Sequence, residues 1–169
     1  MSVVTTTILS AGKQMDAKYE LLSIDVSKEL NRIPDARLVL LDGDAAKRQF
    51  PISDTTFFEP GKDVEIKLRY EGDKDVSVFK GMIVRHNVEA NTNASTLTVE
   101  FKDAAVKLTQ PRKSVVFAKQ ADHEIIGKII GDAGLKKGKL EATQPKHAEI
   151  VQYDCTDWDF RFSAPTSRD

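Results

Sequence analysis

The sequence has a single cysteine, Cys155, and only three histidines among its 169 residues. One cysteine excludes an internal disulfide framework and is interpreted as a free thiol, and three histidines leave little material for a metal cage. No stretch approaches the roughly 20 apolar residues that cross a bilayer, and the first residues lack the basic region of a secretory signal. We therefore expect synthesis in the cytoplasm, no stable membrane insertion and no cofactor.

Neither sign of charge dominates, because the chain has 25 basic and 26 acidic side chains and a formal net charge of −1. A balanced chain generates no field that attracts nucleic acid or an anionic membrane, so no nucleic-acid partner is expected. Basic residues concentrate locally at 110–119 and 135–146, and we interpret these as solvated or partner-facing patches. The length suffices for one domain and the beginning of a second.

Apolar side chains recur with a period of two up to about Asp103. They alternate with charged side chains in Val64–Tyr70 and with polar ones in Leu97–Phe101, which predicts half-buried antiparallel strands. In the β-branched segment Val76–Val88, Gly81 predicts a bulge or a tight bend. Further predicted elements are strands at Val3–Leu9, Tyr19–Ser27 and Arg37–Leu41 and a short helix around residues 44–49.

Turns rich in Gly, Pro, Asn and Asp separate these strands, without a long helix between them, which favours an antiparallel barrel or sandwich. After Lys107 the pattern predicts a strand within 111–119, a helix with Asp122 as N-cap and Gly134 as C-cap, and a strand at 148–154. The predicted fold class is mainly β with minor α, as an antiparallel β-barrel of residues 1–107 followed by the start of a second, α+β domain at 108–169. The apolar stripe of the helix comprises Ile125, Ile126, Ile129, Ile130 and Ala133.

The segment Tyr153–Phe160, "YDCTDWDF", concentrates three aspartates, the cysteine and the only tryptophan. Asp154, Asp157 and Asp159 could supply metal ligands or an acid–base pair, and Cys155 a nucleophile, but the spacing fits no EF-hand and points to no paired histidine. Thr156 and Asp159 instead match a capping box, with Asp157 where the helix dipole favours negative charge. We expect Trp158 and Phe160 to fix this helix to the preceding sheet.

The histidines His86, His123 and His147 are isolated in sequence, and none has a second ligand three or four residues away. His86 is interpreted as a surface or packed residue rather than as a base. Phosphate-binding glycine loops, G-x-S-x-G and H-E-x-x-H are all absent. We therefore assign no catalytic, cofactor-binding or metal-binding residue and predict that the protein is not an enzyme.

Four segments in fixed order carry a resemblance to a known family. "ELNRIPDARLVLLDGD" (Glu29–Asp44), "FFEPGKDVEIKLRY", "VFKGMIVRHNVE" and "EIVQYDCTDWDF" resemble the N-terminal, phage-baseplate-hub-like region of VgrG proteins, the spikes of type VI secretion systems. The resemblance extends almost to Phe160. It implies a structural role in a contractile injection machine, as a hub that joins the hexameric tube to a trimeric spike.

The resemblance further implies homotrimers, contacts with an Hcp-like tail tube and with baseplate proteins, and delivery to the extracellular side on firing. The alternatives are a phage tail baseplate hub and a stand-alone β-barrel module that binds oligosaccharide or single-stranded nucleic acid. The tail Arg161–Asp169 departs from the family pattern, which suggests a truncated chain. We hypothesise a reading-frame slip, which sequencing of the downstream gene tests. A hub fragment should expose apolar surface around Asp122–Ala133 and near Trp158.

Overall fold

The computed structural model describes residues 4–43, 49–70, 72–91 and 94–163, with side chains as far as Phe160. The chain forms two compact units, Met1–Ala104 and Ala105–Asp169. No helix in the described ranges is long and apolar enough to cross a membrane. The domain boundary at residue 107 stays a prediction, and the predicted helix around 44–49 falls on residues that are, apart from Gln49, outside the described ones.

The first unit is a single antiparallel sheet of seven strands. Its spatial order is β2-β1-β5-β6-β7-β4-β3, and every neighbouring pair runs antiparallel. The mainly antiparallel β class predicted from the alternation is therefore confirmed. The strands are β1 (Val4–Ser10), β2 (Lys13–Gln14), β3 (Leu21–Ser27), β4 (Asp35–Leu41), β5 (Asp63–Tyr70), β6 (Val76–Glu89) and β7 (Thr96–Lys102).

One face of this sheet supplies the core of the first unit. On β5 and β7 the alternate residues Val64, Ile66, Leu97, Val99 and Phe101 are all buried, as the period of two requires. The sheet is open, because β1 and β3 do not pair within the described residues. The buried cluster is completed by Ile8, Ala36, Leu38, Leu40, Ile52, Phe58, Phe79 and Ile83.

The pairing of the long strand β6 has two irregularities, and neither is at Gly81. The pairing register shifts between Ile66 and Lys67 on β5 and again between Ile83 and Arg85 on β6. Gly81 is paired in register with Val64. A Cβ at position 81 would overlap the carbonyl of Lys102, so the glycine permits a close backbone approach; the predicted bulge is wrongly placed.

A buried carboxylate organises the loop before β5. Asp42 is fully buried and accepts hydrogen bonds from the backbone N–H groups of Ile52, at 2.9 Å, and Ser53, at 2.8 Å. Buried charges are tolerated when hydrogen bonds replace lost water. The loop consequently delivers Ile52 and Phe58 to the core.

The second unit consists of a two-stranded antiparallel sheet and helices. After a 3₁₀ helix at Ala104–Thr109 come β8 (Lys113–Gln120), α1 (Asp122–Asp132), β9 (His147–Cys155) and α2 (Asp157–Ser163), and β8 pairs with β9. The buried core consists of Leu108, Phe117, Ile125, Ile129, Ile150 and Phe160.

Both caps of α1 differ by one residue from the prediction. Ala121, not Asp122, is the N-cap. The alanine side chain cannot accept a hydrogen bond, and the start of the helix is held instead by the Glu124 carboxylate, which accepts a hydrogen bond from the Ala121 N–H at 2.8 Å. Ala133 is the C-cap, and Gly134 follows it with φ of 68°. A left-handed glycine just beyond the C-cap is the usual helix stop.

Candidate functional site

The motif "YDCTDWDF" begins a helix, as the capping-box interpretation predicts. Thr156 Oγ1 accepts a hydrogen bond from the backbone N–H of Asp159 at 3.1 Å. The hydroxyl donates in turn to the Asp159 carboxylate at 2.7 Å, whereas a standard box directs that carboxylate to the backbone N–H of the cap. The motif therefore fixes the start of α2 at Asp157.

Asp157 links the two strands of the second unit to α2. Its Oδ2 lies 2.9 Å from Lys113 Nζ on β8, and its Oδ1 accepts a hydrogen bond from Gln152 Nε2 on β9 at 3.0 Å. Gln152 is fully buried and donates also to the Cys155 carbonyl. The Asp157 carboxylate therefore connects α2 to both strands through an ion pair and a hydrogen bond, in addition to the favourable position near the helix N-terminus that the sequence predicts.

Two aromatic rings join α2 to the sheet. Phe160 stacks on Phe117 of β8, with ring centroids 5.5 Å apart and an interplanar angle of 18°. Trp158 is half-buried and packs against the same core. The predicted role of both rings, to hold the helix on the preceding sheet, is confirmed, and aromatic pairs of this kind contribute about 0.5–1.5 kcal/mol beyond their buried area.

The remaining candidate residues do not converge on one site. Cys155 is a free, half-buried thiol, and among the described residues no group of three His, Cys, Asp or Glu side chains can hold a metal ion. His86 Nδ1 lies 3.1 Å from the Phe58 carbonyl, His123 Nδ1 lies 3.2 Å from Thr143 Oγ1, and His147 Nε2 lies 2.8 Å from Asp122 Oδ1. Each histidine has a local structural partner.

The most conspicuous surface of the second unit is the face of β8 and β9 opposite its core. Val116 and Val151 are cross-strand partners, and they expose 58% and 51% of their surface, while Tyr153 exposes 79%. We call these three residues the outer face. The prediction of an exposed apolar surface around α1 and near Trp158 is wrong, because Ile125 and Ile129 are buried and Trp158 is half-buried. The exposed apolar side chains of β8 and β9 lie on the outer face instead.

A bulge in β9 presents Tyr153. The register shifts by one residue between Lys113 and Val115 on β8, and Asp154 adopts a left-handed φ of 39°. The Asp154 N–H donates to Ser114 Oγ at 3.1 Å. Arg112 Nε donates to the Asp154 carbonyl at 2.9 Å and lies 3.3 Å from its carboxylate, so side chains from β8 and the turn before it hold the irregular backbone.

Electrostatic shifts in the second unit also have structural causes. The Ala121 N–H bond, followed by the Lys146 ammonium, lowers the pKa of Glu124 below its ordinary value. Hydrogen bonding to an ionised carboxylate favours the charged form. The shift belongs to the cap of α1, so it marks stability rather than catalysis.

The comparisons with known proteins give one family and several structural neighbours. The family model described as "Alg8 N-terminal domain" matches residues 1–166, and no curated protein matches the chain. The E. coli c3393 protein, described as a type VI secretion component similar to T4 tail proteins gp27 and gp5, matches with a TM-score of 0.67 and 16% identity. That match covers 91% of this chain and 41% of the other.

Two further structures resemble the chain. The 43 kDa tail protein of prophage MuSo2 from Shewanella oneidensis has a TM-score of 0.68 and 14% identity, over 95% of this chain and 49% of the other. A chain of the half-lidded Francisella PdpA-VgrG complex has a TM-score of 0.56 and 10% identity, over 96% and 28%. The chain thus shares its fold with parts of these phage-tail and type VI secretion proteins and spans less than half the length of these neighbours.

Sequence reasoning missed two functionally relevant features. Val116, Val151 and Tyr153 were assigned to strands, but their outward orientation follows only once Phe117 and Ile150 are known to face the core. The burial of Gln152 also could not be predicted from the sequence. A glutamine side chain is expected in a core only where a hydrogen-bond partner is known, and here that partner is Asp157. The alternation of "EIVQYD" around Ile150 was the available signal.

Proposed function

The chain belongs to the family described as the Alg8 N-terminal domain, and we propose that it is a structural component of a contractile injection machine. The observation that carries this proposal is the shared fold with the E. coli type VI component and the Shewanella prophage tail protein, over 91% and 95% of the chain. Both are described as parts of tail-like assemblies. A rigid sheet that presents surfaces to neighbours is a suitable element for such an assembly.

The finer assignment is a VgrG-like N-terminal hub that joins a hexameric tube to a trimeric spike. The sequence resemblance and the similarity to the Francisella PdpA-VgrG complex support it. On this proposal the chain acts in a homotrimer, contacts an Hcp-like tube and baseplate proteins, is made in the cytoplasm, and leaves the cell when the machine fires.

The outer face supplies a surface for assembly. Val116, Val151 and Tyr153 place three large, largely exposed side chains on one side of a two-stranded sheet. A two-stranded sheet has little stability alone, and exposed clustered apolar side chains are typical of interaction surfaces. We propose that another subunit of the machine covers this face.

A non-enzymatic role is supported by the scatter of the titratable residues. The three histidines contact a carbonyl, a threonine and an aspartate respectively, and among the described residues no hydrogen bond joins one histidine to another, whereas a catalytic assignment requires that such groups converge. Asp157 is committed to Lys113 and Gln152.

A variant pair tests the proposed assembly. Val151→Glu places a charge on the outer face, and Leu30→Glu makes the same kind of change at a residue that is 92% exposed in the first unit. Contractile particles are purified from cells that express each variant with an epitope tag, and the tagged chain is quantified. We expect loss of Val151→Glu from particles at unchanged expression, with Leu30→Glu retained. Equal retention of both variants would refute the outer face as an assembly surface.

The Shewanella similarity also favours a second candidate of the same class, a phage tail hub. The two candidates differ in the particle that contains the chain. Mass spectrometry of the purified particles separates them, because a phage tail copurifies with head and head–tail connector proteins and a secretion machine does not.

A further inference from the structure

The open sheet of the first unit ends in two strand edges that lack a partner within the described residues. β3 is the last strand at one end of the order, and on the other end β2 pairs only with Leu9 and Ser10 of β1. Over Val4–Thr7, β1 is therefore paired on the β5 side alone within the described residues. An unpaired edge presents a row of backbone donors and acceptors to an incoming strand.

The hydrogen bonds around the end of β1 identify which residues face this free side. The carbonyl of Ile8 accepts from Met15 N, on the β2 side, whereas Ala11 N donates to the Asp63 carbonyl, on the β5 side. Backbone groups alternate between the two edges of a strand. The N–H and C=O of Thr6 therefore point to the free side, and those of Thr5 and Thr7 point to β5.

A cleft lies along this free side. It has a volume of about 460 Å³ and is bordered by Thr5–Ile8 of β1, by Leu21 of β3 and by Met15 and Tyr19 from the connection between β2 and β3. Met15, Tyr19 and Leu21 are partly buried and pack on the main core, so they contribute an apolar part to the cleft lining. Arg69 and Asp75 at its border form an ion pair with a 3.7 Å separation, so their charges largely balance.

β1 carries none of the features that normally protect an edge. Its sequence, Val-Thr-Thr-Thr-Ile-Leu-Ser, has no charge, proline or glycine, although natural edge strands use lysine, proline or bulges against unwanted pairing. Strands with high β-propensity and low charge are the ones that recruit further strands. The free part of β1 is therefore adapted to be paired.

We propose that the cleft between β1 and β3 binds an extended, uncharged segment of a partner polypeptide, which adds to the edge of β1 as a further strand. β1 carries no charge, and the two charges at the cleft border are paired with each other, which favours a segment of alternating hydroxyl and small apolar side chains. Main-chain hydrogen bonds supply the affinity. β2 and the Met15–Tyr19 connection border the cleft at the Ser10 end, so the accessible part of the β1 edge is the short stretch Val4–Thr7, which suits a short extended segment. This inference is independent of the assembly proposed for the second unit.

The test uses a labelled peptide with the sequence Lys-Val-Thr-Val-Thr-Val-Thr-Lys, blocked at both ends, and the full chain. Binding is followed by fluorescence polarisation. Thr6→Pro removes the N–H on the free side without removing a bond to β5, a change that edge strands accept, and Thr6→Val keeps the N–H. We expect at least tenfold weaker binding to Thr6→Pro and no more than a twofold change for Thr6→Val.

Two further measurements guard against a folding defect in Thr6→Pro. A peptide with N-methyl groups on every amide has no backbone donor on either edge, and it should not bind the unmodified protein. In amide exchange followed by NMR, saturating peptide should slow the Thr6 amide at least tenfold and leave Thr5 and Thr7 unchanged. Absence of binding by the unmethylated peptide, equal binding by the methylated one, or an unaffected Thr6 amide would each overturn the proposal.

Discussion

Replacement of Phe117 by alanine should strongly destabilise the second unit and leave the stability of the first unchanged. Phe117 is 4% exposed and stacks on Phe160 at 5.5 Å. Among the residues whose side chains are described, it belongs to a cluster of six buried apolar residues that forms the core of that unit. The first unit has a separate and larger buried cluster, so the two cores do not depend on the same side chain.

The expected loss is large relative to the stability available. Truncation of a buried phenylalanine costs about 3–5 kcal/mol. At about 0.05–0.15 kcal/mol per residue, a unit of about 65 residues has roughly 3–10 kcal/mol in total. Phe117→Ala therefore removes about a third or more of the free energy of unfolding if the unit lies at the upper end of that range, and all of it if the unit lies at the lower end.

Residue-resolved amide exchange measures this effect. We expect protection in β8, β9 and α1 to fall by a factor of at least a hundred in Phe117→Ala, with protection in β5, β6 and β7 unchanged. The matched control is Val116→Ala on the outer face of the same strand, which should cost no more than about 0.5 kcal/mol because the side chain is exposed. Equal losses in both units, or equal effects of the two variants, would refute the assignment of two separate cores.

Three further perturbations follow from the structure. Gly81→Ala should destabilise the first unit by about 3 kcal/mol in urea unfolding, because its Cβ meets the Lys102 carbonyl; a cost below 1 kcal/mol would contradict the close approach. Asp157→Ala should cost about 2 kcal/mol, and a double-mutant cycle with Lys113→Ala should give a coupling above 0.5 kcal/mol, whereas additive effects would exclude the pair. Because the pKa of Glu124 is lowered in the folded protein, its carboxylate stabilises the fold at pH values above the ordinary glutamate pKa. This contribution is lost as the pH falls through the lowered pKa. Glu124→Gln should therefore lose less stability than the unmodified protein between pH 7 and pH 3, and an unchanged pH profile would count against this role.

The alternating strands could be predicted because a period of two reports burial directly. Val64 and Ile66 on β5 and Val99 on β7 are all inward-facing, so local pattern and tertiary structure agree. The helix α1 and the capped start of α2 were equally visible, the latter from Thr156 and Asp159. These elements carry their own signal in neighbouring residues.

Other features depend on partners distant in sequence. The two-residue strand β2 has no apolar residue, and the register shifts of β6 are defined only by its pairing with β5 and β7, which are distant in sequence from the shifted residues. An alanine N-cap at Ala121 is foreseen only if Glu124 is known to reach back to its N–H. The unpaired stretch of β1 likewise becomes apparent only when the sheet order is known.

The most direct test of the central claim is a cryo-electron microscopy map of a purified contractile particle from cells that express this chain. The account predicts density for the seven-stranded open sheet in three copies at the junction of tube and spike, with Val116, Val151 and Tyr153 covered by a neighbouring subunit. A map whose junction is fully occupied by other subunits, from cells in which this chain is expressed, would contradict it.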